Sequence, residues 1–442
     1  MSAWMGSLAR LNRTDAHCSV SFRHNRPCDP FVLGNLQLTA LPASITTHTS
    51  RAASLAAILT VSCLCTGGLS RNLQHIGTVA LLLVATMFVG CASQAASAQQ
   101  PPPIAMAYPS DSNKALTTSR QAGYYAKRAS AMSFATDWAL NNGAQATHIR
   151  AIVGSAQRLP SVIKLVSPAP NTFKKDWHSY RARFIEPVRL AAGRSFWQHN
   201  AHHLEQAEVT YGVPAWLIVG VIGVESIYGR HTGNYTTLDV LTTLAFDFPK
   251  SHPKWTTRQA FFRDELSAFL QLASTQDRKI ESWVGSYAGA LGWPQFMPSS
   301  WQQYAIDFDG DGHIDLINNQ ADIIGSVANY FKAFGWQTNM PTHFKVTVDQ
   351  THAALPKLLE PDIVPTFTAN DLHHNGAALG SDGLAHRASL ALVLLKNAKG
   401  PPTYVAGTHN FYVVTRYNWS SYYALAVIEL GKAVARELPS KP

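Results

Sequence analysis

"YGVPAWLIVGVIGVESIYGR", residues 211–230, is the stretch on which the reading of this chain turns. From Pro214 to Val224 there is no charged side chain. Apolar residues cover every face of a helix drawn over that run, and such a helix belongs at the centre of a fold. Pro214 suits the opening turn, where its missing N–H is not needed. The run ends on a lone carboxylate, Glu225, followed by a turn that contains Gly229. Near a helix C-terminus the macrodipole disfavours a negative charge, and burial disfavours it further. Both effects favour the protonated acid, which is what cleavage of a glycosidic bond requires of its general acid. The glycine turn would then leave room for a sugar strand. The pattern equally fits a helix-end glutamate paired with Arg230 or left in solvent, and the local sequence does not choose.

Downstream, "GSYAGALGWPQFMPSSW" (285–301) alternates small residues with aromatics. Glycine, alanine and serine permit close approach of a backbone or a sugar. Trp293, Phe296 and Trp301 offer flat apolar faces of the kind that pack on sugar rings. The competing reading is a tight turn feeding a helix capped by Ser299 or Ser300. Next comes "DFDGDGHIDLIN" (307–318). Asp307, Asp309 and Asp311 fall at positions 1, 3 and 5 of a twelve-residue calcium loop. Gly312 falls at position 6, the His313 carbonyl at 7 and Asp315 at 9. Position 12, normally a bidentate glutamate, is Asn318, which is neutral and shorter. The loop therefore reads as a structural, weak calcium site, with a metal-free Asp/Gly turn as the alternative. His199 and His203 lie one helical turn apart, but no third ligand is evident near them.

The 442 residues suffice for two or three packed units. The formal charge is +9, from 36 basic and 27 acidic residues. Six basic and two acidic residues precede Cys91, leaving 30 against 25, or +5, for the remainder. That excess suits a polyanionic wall or membrane surface. No Lys/Arg run of the kind that follows phosphates is present, which argues against nucleic acid. All five cysteines lie at or before Cys91, so no disulfide or cysteine-held metal serves the rest of the chain.

"RNLQHIGTVALLLVATMFVGCAS" (71–93) has a basic start, a short apolar run and a small-residue end, the outline of a bacterial export signal. "FVGC" is similar to a lipoprotein-processing site with Cys91 as the lipidated residue. An ordinary signal peptide cut near "ASAQQ" is the other reading. A signal should begin a chain, so residues 1–70 read as a misassigned or non-structural extension. Residues 94–120 are rich in Pro, Ala, Ser and Gln and read as a tether.

From 121 to 340 the three- and four-residue spacing of apolar residues predicts helices, including 261–274 and 322–336. From 341 to 414, "HFKVTV", "IVPTFT" and "FYVVT" are short β-branched runs that predict a small β-rich domain. Residues 415–442 return to helix, with Asn418 or Ser420 as its cap. The fold class is mainly α (α+β).

Taken together, "YGVPAWLIVGVIGVESIYGR", "LDVLTTLAFDFP", "GSYAGALGWPQFMPSSWQQYAIDFDGDGHIDL", "IGSVANYFKAFGW" and "TRYNWSSYYALAV" resemble the membrane-bound B-type lytic murein transglycosylases of bacteria. The resemblance spans roughly 175–430 and implies a lysozyme-like catalytic core with a helical N-terminal segment and a small β domain. It implies cleavage of the β-1,4 bond between N-acetylmuramic acid and N-acetylglucosamine in peptidoglycan, closing a 1,6-anhydro end. Glu225 matches the family's single catalytic acid/base. Ser286 and Gln295 match positions lining the cleft, and Tyr417 and Asn418 match an element that closes over the glutamate. Tyr287, Trp293 and Phe296 complete the expected substrate-binding set. Tyr287 and Trp293 depart from the commoner family residues, which touches subsite detail only. The implied setting is a monomer in the periplasm, anchored to the outer membrane. No cofactor is implied for the chemistry itself. A muramidase that uses water, and a non-catalytic wall-binding lipoprotein, are the rival readings. A binding module gains nothing from burying an acid.

Overall fold

The computed structural model describes residues 116, 118–168, 175–276 and 278–438. The extension, the export signal with Cys91, and nearly all of the tether lie outside them.

The N-terminal helices are α1 (Ala129–Asn141), α2 (Ala146–Ser155), α3 (Pro160–Val166), α4 (Trp177–Ala182), α5 (Pro187–His199) and α6 (Ala201–Tyr211). The central part holds α7 (Ala215–Ser226), α8 (Thr237–Phe246), α9 (Trp255–Thr275), α10 (Pro298–Tyr304) and α11 (Gln320–Ala333). Strands β1 (Tyr235–Thr236) and β2 (Val284–Gly285) pair antiparallel within it. The C-terminal part holds β3 (His343–Val348), α12 (Leu355–Leu359), α13 (Ala369–His374), β4 (Ala377–Leu379), α14 (Ser381–Leu384), β5 (Ala391–Leu395), β6 (Thr403–Gly407), α15 (His409–Tyr417) and α16 (Ser421–Arg436).

Helix α7 is the axle. Ala215, Ser226 and every residue from Leu217 to Val224 are buried. It packs against α5, α6, α11 and, most extensively, α16. Glycines set how closely α7 and α16 approach. A β-carbon at Gly431 would lie 1.9 Å from the Trp216 carbonyl oxygen, and one at Gly220 would lie 2.3 Å from that of Val427. The two backbones therefore touch, which aims residues at the start of α16 toward the end of α7.

The N-terminal segment is pinned to this core by polar contacts. Arg120 donates to both carboxylate oxygens of Asp239, at 2.8 and 2.9 Å. Glu281 accepts from the Thr118 hydroxyl and the Ser119 N–H, both at 2.6 Å.

The β domain is a four-stranded antiparallel sheet in the order β4-β3-β6-β5. One face packs on α12 and α13 around Leu358, Leu372, Leu390 and Leu392. From the other face Val393, Leu395 and Val405 join the main core. Of the three segments read as strands, only "HFKVTV" forms one. "IVPTFT" is irregular with a single bridge, Phe367 to Leu390. "FYVVT" lies inside α15, whose N-cap Thr408 accepts from the Asn410 N–H. Its Phe411, Val413 and Val414 are buried in the main core, and that packing overrides β propensity. The sheet thus ends at Gly407, and the return to helix begins at His409 rather than 415.

Candidate active site

Glu225 is the penultimate residue of α7 and only partly buried, unlike the residues on either side of it. The helix then stops abruptly. Ile227, Tyr228 and Gly229 all take left-handed backbone angles, with φ of 52°, 53° and 83°. For Ile and Tyr this conformation is strained. The Ser226 hydroxyl, accepting the Gly229 N–H at 3.1 Å, and the Ser226 carbonyl, accepting the His231 N–H at 2.8 Å, hold the turn. Arg189 braces the same helix end by donating from Nε to the Gly223 carbonyl at 2.8 Å, one of the acceptors a helix terminus leaves free. Gly229 does not open space for a ligand. A β-carbon there would lie 2.2 Å from the Trp293 indole, so the glycine makes room for that ring.

The groups gathered around Glu225 are phenols. Tyr423, in the first turn of α16, donates its hydroxyl to Glu225 Oε1 at 2.6 Å. Tyr417 stacks on Tyr423 with centroids 6.3 Å apart and donates to the Pro294 carbonyl at 2.6 Å. Tyr330 lies 4.8 Å from Tyr417, centroid to centroid, and donates to the Arg416 carbonyl at 2.8 Å. Burial first, and the Glu225 charge second, push the Tyr417 and Tyr423 hydroxyls well above the usual phenol range. Tyr180 is raised for the same two reasons, and Tyr330 chiefly by burial. These phenols stay neutral near pH 7 and present O–H donors.

A glycine-rich hairpin forms the neighbouring wall. Leu291 and Phe296 exchange N–H···O bonds of 2.8 and 3.1 Å around the 292–295 turn. Gln295 closes that turn with φ of 53°, and its amide nitrogen donates to the Gly292 and Thr232 carbonyls at 2.8 and 3.0 Å. Ser286 is buried, and its hydroxyl oxygen accepts the Ala288 and Ala290 N–H groups at 3.2 and 3.1 Å. Tyr287 is buried beside it, with its hydroxyl pushed up to about 12 by that burial. Asn418 is 5% exposed, and both its Oδ1 and Nδ2 lack a hydrogen-bond partner among the described residues. A buried amide with both ends unpaired is costly.

Phe296, Trp301 and Ser299 depart from the sequence-based expectations. Phe296 is 2% exposed and packed between Tyr330 and Tyr417, so it underlies the site instead of offering a face to a sugar. Trp301 is equally enclosed, against Trp283. Trp293 is half-buried, wedged between Gly229 and Phe196. Ser299 does not cap α10. Its hydroxyl and N–H both serve the buried Glu265, at 2.6 and 3.0 Å. Of the two caps considered for α16, Ser420 is the one that accepts from the Tyr423 N–H.

In the acidic loop, oxygens of Asp307, Asp309 and Asp311 lie within 4.8 Å of one another. Asp307 also organises the turn, accepting from Gly310, Asp311 and Gly312 N–H groups at 2.7 to 3.1 Å. Asp315 is not one of the three clustered acids, and Asn318 Nδ2 donates to it at 2.8 Å. Asn319, not singled out in the sequence, takes part by donating to Asp309 at 2.9 Å while capping α11. His313 is exposed.

Sequence reading missed Tyr423, Tyr330, Tyr180 and Arg189. Tyr423 had a signal, since a tyrosine on the apolar face of a capped helix needs a partner for its hydroxyl. Tyr180 and Arg189 had none in the linear sequence.

The fold and site define a lysozyme-like, mainly α protein with one glutamate at the end of a buried helix. Comparison with known proteins agrees on the fold. The Transglycosylase SLT domain family matches residues 126–432. Membrane-bound lytic murein transglycosylase B of Escherichia coli K12 is 38% identical over 324 residues, covering 71% of this chain and 84% of that protein. The structure of Escherichia coli Slt35 in complex with calcium is 36% identical, with a TM-score of 0.63 over 72% of this chain and 96% of that one. Pseudomonas aeruginosa SltB3 in complex with NAG-NAM-pentapeptide is 30% identical, with a TM-score of 0.58 over 69% of this chain and 78% of that one. This chain belongs to the SLT-domain family of lytic transglycosylases.

Proposed function

We propose that the protein is a lytic transglycosylase of peptidoglycan, with Glu225 as its single acid/base. The observation that carries this reading is Glu225 itself, at the end of a buried helix and hydrogen-bonded by a neutral phenol at 2.6 Å. The Tyr423 hydroxyl supplies an O–H donor to it, whereas a two-carboxylate hydrolase relies on a second acid.

In the first step Glu225, protonated, gives its proton to the glycosidic oxygen between N-acetylmuramic acid and N-acetylglucosamine. The C1–O4 bond breaks, and the muramoyl acetamido oxygen closes on C1. In the second step the Glu225 carboxylate takes the proton from the C6 hydroxyl, O6 attacks C1, and the acetamido group leaves. Glu225 regains its proton, water is neither consumed nor released, and the product ends in a 1,6-anhydro ring. Tyr423 orients the carboxylate. Asn418, with its two unpaired amide atoms, accepts and donates to the sugar. Ser286, Gln295, Tyr287 and Tyr417 shape the cleft wall, and Trp293 borders it.

Asp307, Asp309 and Asp311 suit a hard divalent cation, which prefers clustered carboxylate oxygens. Calcium there would link the three acids and stiffen the approach to α11, and has no part in the chemistry. We place the enzyme in the periplasm as a monomer, tethered to the outer membrane through lipidated Cys91. Incubation with purified peptidoglycan and product mass analysis tests the function; the labelled lipid precursor at Cys91 tests the anchor.

A further inference from the structure

The turn that ends α7 is held in a conformation its own backbone does not favour. Ile227 and Tyr228 stand one after the other at φ of 52° and 53°, in the left-handed region that L side chains rarely take. Such strain persists only where the surrounding packing over-determines it. The backbone offsets little of it, since the Tyr228 N–H reaches the Ile222 carbonyl only at 3.4 Å.

The Tyr228 ring supplies the packing. It is buried and stacks on Phe196 of α5, with centroids 5.3 Å apart and planes at 29°. Its far end enters a slot between α5 and α7 that is open because both helices carry glycine there. A β-carbon on Gly193 would lie 2.5 Å from the Tyr228 hydroxyl oxygen, and so would one on Gly223. The same two β-carbons would meet Val434 and Leu430 of α16 at 2.6 and 2.9 Å. The tip of the ring therefore sits where α5 and α7 meet α16, the helix that carries Tyr423. The hydroxyl itself does not explain the placement. It is buried with no hydrogen-bond partner among the described residues, and burial holds it above the usual phenol range against the charge of Arg189. A buried O–H without a partner opposes folding, so the slot fits the ring and not its polar end.

We infer that Tyr228 is a positioning residue for Glu225: its ring, wedged between Gly193 and Gly223, holds the left-handed turn that stops α7 and so fixes where the carboxyl group meets Tyr423. This role rests on the reading of Glu225 as the acid/base. With the slot empty, residues 227 and 228 are free to return to right-handed angles, and the last turn of α7, on which Glu225 stands, shifts with them. A misplacement of about 1 Å at a reacting group is enough to cost about 10²-fold in rate.

The test compares wild type, Tyr228→Phe, Tyr228→Gly and Tyr228→Leu by steady-state release of anhydromuropeptides from soluble glycan strands, each measured well below its own melting temperature. Tyr228→Phe keeps the wedge and loses only an unpartnered hydroxyl, so it should keep the wild-type kcat and melt no lower than the wild type. Tyr228→Gly relieves the backbone strain but empties the slot. Its kcat should fall by roughly 10- to 100-fold, with KM little changed. Tyr228→Leu keeps apolar bulk but is too short to reach between the glycines, and its kcat should fall in the same way; it carries the test if the glycine variant does not fold. Folded Gly and Leu variants that keep the wild-type kcat would overturn the role and leave the ring a matter of stability alone. A Phe variant as impaired as the other two would also overturn it, by making the hydroxyl the active part. A wild type that releases no anhydromuropeptides is a different failure, that of the acid/base reading itself, and takes this role with it.

Discussion

Glu225 and the acids of the 307–315 loop are carboxylates in opposite settings. Glu225 ends a helix in which the preceding residues are buried, and a phenol meets it. Asp307 lies on a surface loop and takes backbone N–H groups from the residues that follow it. The first arrangement leaves a carboxyl group at the end of a buried helix with a phenol O–H donating to it, the setting on which the proposed acid/base role rests. The second gathers three anions close together and holds them with hydrogen-bond donors, backbone N–H groups on Asp307 and the Asn319 amide on Asp309. What a carboxylate does here is set by the donors around it and by its access to water.

The comparison can be broken most severely at Glu225. Glu225→Gln should lower the rate of peptidoglycan cleavage by roughly 10²–10⁴-fold, the usual worth of a general acid/base, with the melting temperature little changed. Chromatography of released muropeptides measures it. Next in size is Tyr423→Phe, which removes the 2.6 Å hydrogen bond and keeps the ring. A rate loss of about 10-fold, from roughly 1.4 kcal/mol of lost orientation, is expected, read in kcat more than in KM.

On the scaffold side, Gly431→Ala would drive a methyl group into the Trp216 carbonyl and separate α16 from α7. Denaturant unfolding should show about 1–3 kcal/mol of lost stability. Activity should fall with it, because α16 brings Tyr423 to Glu225. At the acidic loop, calcium should raise the melting temperature of the wild type, and Asp307→Asn should abolish that rise while leaving the cleavage rate of the folded protein unchanged. A matching loss of activity would erase the distinction between the two regions.

The smallest effect concerns Glu281. Burial opposes its ionisation, but hydrogen bonds from Thr118, Ser119 and Arg120 outweigh that and hold it at about 2, against an ordinary 4.5. A folded value below the unfolded one stabilises the fold above about 4.5, and that contribution is lost as pH falls toward about 2. Glu281→Gln should therefore cost about 1 kcal/mol at neutral pH, and the difference from wild type should shrink on acidification.

What was legible in the sequence was what repeats or stands alone. The uninterrupted apolar run before Glu225 fixed a central helix, and the Asp-x-Asp-x-Asp-Gly spacing fixed an acidic loop. What was illegible depended on packing between distant segments. "FYVVT" has strand propensity, yet Thr408 caps it as helix and the main core accepts Phe411, Val413 and Val414. "ALVLL" (391–395) forms β5 without an alternating pattern, since it is covered on both faces. Phe296 looked like a sugar platform because local sequence cannot show Tyr330 and Tyr417 already occupying its faces. Arg189 reaches Gly223 across 34 positions, and Tyr423 reaches Glu225 across 198.

The central claim is that one carboxyl group serves as both acid and base, with the sugar's own hydroxyl as acceptor. The most direct test digests purified peptidoglycan with the protein and weighs the products by mass spectrometry. The account predicts muropeptides ending in 1,6-anhydro-N-acetylmuramic acid, with no oxygen from labelled water incorporated. Products heavier by one water and carrying the label would contradict it and make the protein a muramidase.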